Sequence, residues 1–331
     1  MSNAVLELQG VGAELPYQGG WAPVLRDVSF SIAEGEIVGL VGESGSGKSM
    51  TARTVVRLLP KGSKLSGRVL VGGMEVPVSG RALRDVRRRR IAMIFQDPRA
   101  HIDPLYRTGD HLVEGLRAQG GITKEAARNE ALVLLASVGI DDPERVFRSY
   151  PAEVSGGMLQ RVMIAGAFTA DPELIIADEP TTALDVTTQA EIVALLSRLC
   201  RERGRGSLFI TYDLDLAAAI CDRVLVMYAG RVVEENRSDR FFSGPLHPYS
   251  ARLLRARPMI ENRSRSLAVI PGRPVSAVDS PEGCPFHPRC AYATHECQTW
   301  TPVLTSIDDG WSGCRRVTEI RSELRDEVVD A

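Results

Sequence analysis

The chain has 331 residues, 44% apolar and 25% charged, enough for one large α/β domain with an appendage, or two modest domains, around a sizeable core. That balance is the ordinary globular one and leaves no tract with the composition of a disordered tail. Forty basic against 42 acidic residues give a formal charge of −2, which supplies no general attraction to a nucleic-acid backbone or an anionic membrane and argues against nucleic acid as a partner.

No run of about 18 apolar residues occurs, and the opening Met1-Ser2-Asn3-Ala4-Val5-Leu6-Glu7 has neither a basic region nor an apolar signal core. The expectation is a cytoplasmic protein that reaches a membrane only through other polypeptides. In chain order, short strands are predicted at Val5 to Leu8, Val28 to Ile32 and, after a Glu34-Gly35 turn, Ile37 to Val41. A glycine-rich loop follows, then helical spacing from Met50 to Leu59 that stops at Pro60. The basic run Arg87 to Arg90 precedes apolar Ile91 to Phe95 and reads as a solvated helix end feeding a buried strand, with contact to phosphate or a partner as the alternative. From about 104 to 170 the pattern is helical, Lys124 to Val138 being one amphipathic helix.

Strands resume at Leu174 to Ala177, Ser207 to Thr211 and Arg223 to Met227, with helical stretches between them. That alternation predicts a largely parallel sheet covered on both faces, with the helical block inserted. Beyond about 240 the chain turns to Pro-rich loops holding four of the six cysteines. The division expected is a domain over 1–240, containing a helical subdomain over about 97–170, and an extension over 241–331. No internal repeat is visible.

Gly42-Glu43-Ser44-Gly45-Ser46-Gly47-Lys48-Ser49 fits G-x-x-x-x-G-K-[ST] in full, between a strand and a helix. Glycines Gly42, Gly45 and Gly47, with Ser44 between them, let backbone N–H groups curl round a β-phosphate at a positive helix end. Lys48 is placed to reach the β- and γ-phosphates, and the Ser49 hydroxyl to coordinate Mg²⁺. The strand ending Ala177-Asp178-Glu179 delivers Asp178 as a Mg²⁺ ligand and Glu179 as general base toward the attacking water.

Val154-Ser155-Gly156-Gly157-Met158, shortly before that acidic strand, resembles the signature loop of ABC ATPases. The resemblance implies a P-loop ABC ATPase core with an N-terminal antiparallel β subdomain. It also implies that Ser155, Gly156 and Gly157 bind the γ-phosphate of ATP held by an opposing subunit, so that two nucleotide domains close on two ATPs. By the same resemblance Gln96 is the Q-loop glutamine sensing Mg²⁺ and water, Ala183-Leu184-Asp185 is the D-loop with Asp185 at the dimer seam, and Tyr17, with Trp21 close by as a rival, is the aromatic on which adenine stacks.

Within ABC ATPases the chain most resembles the ATP-binding subunits of dipeptide, oligopeptide and nickel importers. The resemblance lies in Ile91 to Pro98, Tyr150-Pro151, Arg161 to Ala165, His247-Pro248-Tyr249 and Cys284-Pro285-Phe286-His287-Pro288-Arg289-Cys290. It implies a peripheral protein at the cytoplasmic face of the membrane. The implied partners are two transmembrane permease subunits, an extracytoplasmic solute-binding protein and a second ABC ATPase. A non-transport ABC ATPase or an ATP-gated scaffold is the rival reading. Departures from the family are Leu159 in place of an arginine, the stretch Ala100 to Asp103, and Tyr212 where a histidine precedes Asp-Leu.

Cys284, Cys290, Cys297 and Cys314 have spacings x5, x6 and x16 without a C-x-x-C pair, and clustering in a cytoplasmic chain favours metal over disulfides. The family resemblance suggests a [4Fe–4S] cluster on these four thiolates, with zinc or unliganded, occasionally oxidised thiols as alternatives. The implied cofactors are thus ATP, Mg²⁺ and [4Fe–4S]. Tyr212 can donate one O–H bond but lacks two ring nitrogens, so the site built on Lys48, Asp178 and Glu179 is expected to bind ATP and turn it over poorly.

Overall fold

A computed structural model describes residues 4–182, 184–257 and 269–329. The chain forms two compact units, one from the segment ending at Glu7 with Ser31–Ile37 and Leu70–Ile210, the other from Leu8–Phe30, Val38–Val69 and the segment from Thr211 onward.

The first unit holds a parallel sheet with Leu174–Asp178 between Ile91–Ile94 and Gly206–Ile210. Its register pairs Ile91 with Leu174 and Asp178 with Ile210. Leu174–Asp178 and Gly206–Ile210 are buried along their whole length, as their unbroken apolar sequences require of parallel strands covered on both faces. A Cβ at Gly206 would lie 2.2 Å from Val5 Cγ2 and 2.9 Å from Ala33 O, so a larger residue there requires its neighbours to shift. The basic run closes the helix Gly80–Arg89 immediately before the strand Ile91–Ile94, as its sequence implies.

Between the first two strands in the sequence lies the helical block. Thr108–Ala118, Lys124–Ser137, Pro143–Arg148 and Gly156–Ala167 bury Leu112, Leu135, Val146 and Val162. The amphipathic helix begins where a cap is available, Thr123 accepting from the N–H of Ala126 at 3.2 Å.

In the second unit Ile37–Val41 runs parallel to Arg223–Tyr228, which pairs antiparallel with Arg231–Arg237. The hairpin of Thr305–Ile307 and Gly310–Ser312 continues from Arg231–Arg237. The N-terminal strands are longer than the sequence suggests, spanning Ala4–Tyr17 and Gly20–Ala33. Gly10 and Asp27 take left-handed backbone angles inside them, φ +59° and +54°, and such local kinks break the alternation by which a strand is read. The helix after the glycine loop, Lys48–Val55, starts earlier and ends sooner than its periodicity implies.

Beyond 240, the helix Pro248–Arg255 buries Ala251 against Ile320 and Leu324. The His247 loop is drawn onto the sheet by Glu234, whose Oε1 accepts from Leu246 N at 2.9 Å and Asn236 Nδ2 at 3.2 Å. His247 Nδ1 in turn accepts from the N–H of Tyr249 at 3.1 Å and caps that helix. Burial pushes Glu234 up from 4.5 to about 7 and His247 down from 6.5 to about 3.

The folded state therefore holds the Glu234 proton more tightly than the unfolded chain, and stability from this group falls as pH rises from about 4.5 to about 7; His247 acts oppositely, its contribution falling below about pH 6.5. Glu234→Gln is expected to unfold at higher urea concentration than wild type at pH 8, with the advantage shrinking toward pH 5. Parallel urea titrations at the two pH values test this, and an advantage that does not change with pH contradicts it.

Candidate nucleotide site

In the second unit the buried strand Ile37–Val41 delivers the chain into Gly42, whose φ of +147° and position 2.3 Å, Cβ to oxygen, from Met227 O exclude any side chain. Gly47, at φ +112°, opens the helix Lys48–Val55, and a Cβ there would press Leu25, Met227 and Gly230 at 3.1 to 3.3 Å. The loop is closed on itself by Ser46 N–H to Glu43 O at 3.2 Å and anchored by Gly230 N–H to Ser46 O at 2.8 Å. This is a backbone cradle at a helix N-terminus, the arrangement that suits a phosphate. Ser44 and Gly45 are exposed at its tip, and Ser49 is half-buried in the first helical turn.

Lys48 is 3% exposed, and its ammonium donates to Gly42 O at 2.8 Å and Glu43 O at 3.1 Å. The ring of Tyr212 lies over it, 3.8 Å from Nζ to the ring centroid, within cation–π range. Gly45, Gly47, Lys48, Ser49 and Tyr212 line one cavity of about 240 Å³, whose wall also includes Ser276, Ala277 and Val278. Sequence reasoning missed those last three, which sit in a loop without a motif.

Tyr17 ends its strand half exposed and does not line that cavity. Its rival Trp21 is engaged elsewhere, with Lys64 Nζ 3.4 Å from its ring centroid and its indole N–H donating to Gly62 O at 3.1 Å.

The first unit carries the remaining residues. Asp178 and Glu179 are both buried at the end of Leu174–Asp178. Glu179 holds φ +50°, a left-handed backbone uncommon for a non-glycine residue and a form of strain that gathers at functional sites. Its N–H donates to Ile210 O at 3.0 Å, and Oε2 accepts from Thr182 Oγ1 at 3.2 Å. Gln96 is exposed in the turn after Ile91–Ile94. That turn is folded back by His101, whose ring stacks on Phe95 at 3.9 Å and whose Nδ1 meets Asp97 O at 2.9 Å. The departure at Ala100 to Asp103 thus has a structural use that no sequence signal announced.

Ser155 caps the helix Gly156–Ala167, its Oγ accepting from Met158 N–H at 3.3 Å. Gly156 and Gly157 occupy the first turn, and a Cβ on Gly157 would lie 2.9 Å from Thr188 Cγ2. Leu159, where the family pattern has arginine, is fully buried. Asp185 caps the helix Val186–Glu202 by accepting from Thr188 N–H at 3.0 Å and Thr188 Oγ1 at 2.7 Å, bonds that hold its carboxyl below the usual range. Ala183 of the expected D-loop lies outside the described residues.

The cysteine expectation finds no support here. Cys284, Cys290, Cys297 and Cys314 do line one cavity, but its volume is about 20 Å³, room for roughly a single water. Among the described residues no group of three or more His, Cys, Asp or Glu side chains is arranged to hold a metal ion. Burial pushes the Cys284 thiol up to about 11 and Cys290 to about 12, and raises Cys314. Neither the [4Fe–4S] cluster nor zinc is supported. Among the described residues no helix is long and apolar enough to cross a membrane.

Comparison with known proteins gives this geometry a family. Residues 25–182 match the ABC transporter family model, and residues 233–297 match the C-terminal region of oligopeptide/dipeptide transporters. The chain is 41% identical to the oligopeptide transport ATP-binding protein OppD of Haemophilus influenzae, across 93% of this chain and 95% of that protein. It is likewise 41% identical to a putative peptide import ATP-binding protein of Brucella abortus, across 94% of each. Among solved structures it is similar to a dimeric ATP-binding cassette in a post-hydrolysis state bound to ADP and Pi, with TM-score 0.63, 30% identity, and coverage of 70% of this chain and 98% of that one. It is also similar to cbiO1 of Clostridium perfringens, with TM-score 0.63, 26% identity, and coverage of 73% and 91%.

The fold and site are those of an ABC ATPase, an ATP-hydrolysing nucleotide cassette. The chain belongs to the ABC transporter ATP-binding subunits of the oligopeptide and dipeptide group.

Because Lys48 is the buried cation of the loop, Lys48→Ala is expected to weaken MgATP binding by about tenfold or more, ~1.4 kcal/mol at least. Glu179→Gln is expected to keep binding while slowing turnover. Titration calorimetry and phosphate release separate the two effects, and equal MgATP affinity in wild type and Lys48→Ala rejects the P-loop assignment.

Proposed function

We propose that this chain is one of two unlike ABC ATPases powering an importer of peptides or related small solutes, and that its own ATP site is the weaker of the pair. In this reading Lys48 and the N–H groups around Gly42, Ser44, Gly45 and Gly47 bind the phosphates, and Tyr17 supports the adenine. Ser49, Asp178 and Gln96 would hold Mg²⁺. When bound, that ion neutralises charge on the β- and γ-phosphates. Glu179 orients and deprotonates the attacking water. Ser155, Gly156 and Gly157 face the γ-phosphate of ATP on the partner ATPase, with Asp185 at the seam.

The observation that carries the asymmetry is Tyr212. Its ring offers a π face to the Lys48 ammonium at 3.8 Å, competing with phosphate for the same cation, and its single hydroxyl cannot replace the two nitrogens of an imidazole. The engagement of Trp21 with Lys64 supports Tyr17 as the adenine platform. The names of the relatives support peptide transport. Two transmembrane permeases and an extracytoplasmic solute-binding protein would complete the assembly, with this chain peripheral at the cytoplasmic face. A normal histidine in the partner ATPase, completed by Ser155 and Gly157 of this chain, would make the competent site.

The assembled transporter is expected to lose most of its ATPase activity when the partner's catalytic glutamate is changed to Gln, and to lose much less on Glu179→Gln. Tyr212→His is expected to raise the contribution of this site. If the purified chain alone hydrolyses ATP at the rate of the whole transporter and Tyr212→His adds nothing, the asymmetric reading fails.

A further inference from the structure

The second residue of the phosphate loop, Glu43, is held from three directions. Its carboxylate takes a two-pronged contact from Arg289, Nη1 to Oε2 at 2.7 Å and Nη2 to Oε1 at 3.1 Å. Its backbone N–H donates to the Tyr249 hydroxyl at 2.8 Å. Its backbone carbonyl accepts from the ammonium of Lys48 at 3.1 Å. Two of these grips come from the segment beyond residue 240, and the third belongs to the lysine that meets the nucleotide.

Both outer partners are built to stay in place. The Arg289 side chain is 3% exposed, and its other donors go to Pro271 O at 2.8 Å, Ile270 O at 3.4 Å and the Tyr228 hydroxyl at 3.2 Å. A planar guanidinium with this many fixed acceptors has one orientation. Tyr249 is fully buried, its ring 4.7 Å from Tyr228 and 5.3 Å from Phe286, and burial pushes its phenol up, so its hydroxyl stays neutral. Ordinary anchoring of the C-terminal segment needs an ion pair somewhere. It does not need contact with Glu43, one of the two residues whose carbonyls cradle Lys48.

We propose that Arg289 and Tyr249 are positioning residues for ATP binding: they fix Glu43, and through its carbonyl they fix the Lys48 ammonium and the curl of the phosphate loop. The segment beyond 240 then sets nucleotide affinity in addition to its place in the fold. This rests on the reading of Lys48 as the phosphate-binding lysine.

The test uses the purified full-length chain and two readouts, the MgATP dissociation constant and the melting temperature without nucleotide. Tyr249→Phe removes only the hydroxyl and keeps the ring packing, while Glu43→Gln removes the charge that Arg289 faces. Each is expected to weaken MgATP binding about tenfold, ~1.4 kcal/mol. Arg289→Lys, which keeps the charge and loses the fork, is expected to fall between these and wild type. Lys48→Ala serves as the reference for loss of the loop's own cation. If Tyr249→Phe and Glu43→Gln lower the melting temperature while their affinities stay within twofold of wild type and Lys48→Ala loses binding, the contacts are structural and the proposal is overturned. If Lys48→Ala also keeps full affinity, the phosphate-loop reading fails and takes the proposal with it. Should an Arg289 variant fail to fold, Tyr249→Phe alone decides, because it leaves every buried ion pair intact.

Discussion

The glycine loop of the second unit is arranged around a desolvated positive charge. The Lys48 ammonium lies almost out of reach of solvent, where an unpaired cation is costly, and the loop answers with the carbonyls of Gly42 and Glu43. Those carbonyls point inward only because Gly42 and Gly47 occupy backbone angles closed to other residues, against Met227 and Gly230. A buried strand before the loop and a helix after it hold both ends. The sequence motif is therefore a description of backbone geometry under a charge constraint, with side-chain identity fixed at only a few of its positions.

Much of this was legible without coordinates. Parallel strands buried on both faces announce themselves as unbroken apolar runs, so Leu174–Asp178 and Arg223–Tyr228 were found within a residue or so of their ends. The helix Lys124–Ser137 follows from its periodicity, while its cap at Thr123 emerges only from the structure. The long N-terminal strands were not found whole, because their kinks at Gly10 and Asp27 imitate strand ends. Nothing local in the sequence predicts that Ser276 to Val278 meet the glycine loop, since the positions are far apart in the chain and carry no motif. The four cysteines are a different case. The four thiols do share one small pocket, and no group of three or more His, Cys, Asp or Glu arranged for a metal is found among the described residues.

Several family positions are occupied by residues whose local bonds are plain. Asp185 is a helix cap whose two oxygens are both taken by Thr188, so any seam contact must be made with the outer lone pairs or at the expense of the cap. Leu159, where the family pattern has arginine, is a fully buried apolar side chain of the signature helix. His101 spends its ring on Phe95 and its Nδ1 on Asp97 O, and so stiffens the turn that carries Gln96. A motif fixes where a residue sits in the chain, while the bonds it has already made fix what remains available for chemistry.

Tyr212 brings these threads together. An imidazole at that position can donate to a phosphate from one nitrogen while the other is oriented by a neighbour, and so acts on the reaction in both charge states. A phenol has one polar atom at the end of a longer ring, and here the ring face rests on Lys48. Cation–π attraction is worth about 0.5–2 kcal/mol, small beside the affinity of an ammonium for a triphosphate but directed at the same cation. Binding can therefore survive while the alignment of water and γ-phosphate suffers, because binding draws on the whole cradle and alignment on one atom at its edge. In the proposed reading, a cradle that keeps Lys48 but carries tyrosine at its edge holds nucleotide better than it hydrolyses it. The same proposal assigns the chain's larger part in turnover to Ser155 and Gly157, which stand at a helix N-terminus where backbone N–H groups suit a phosphate.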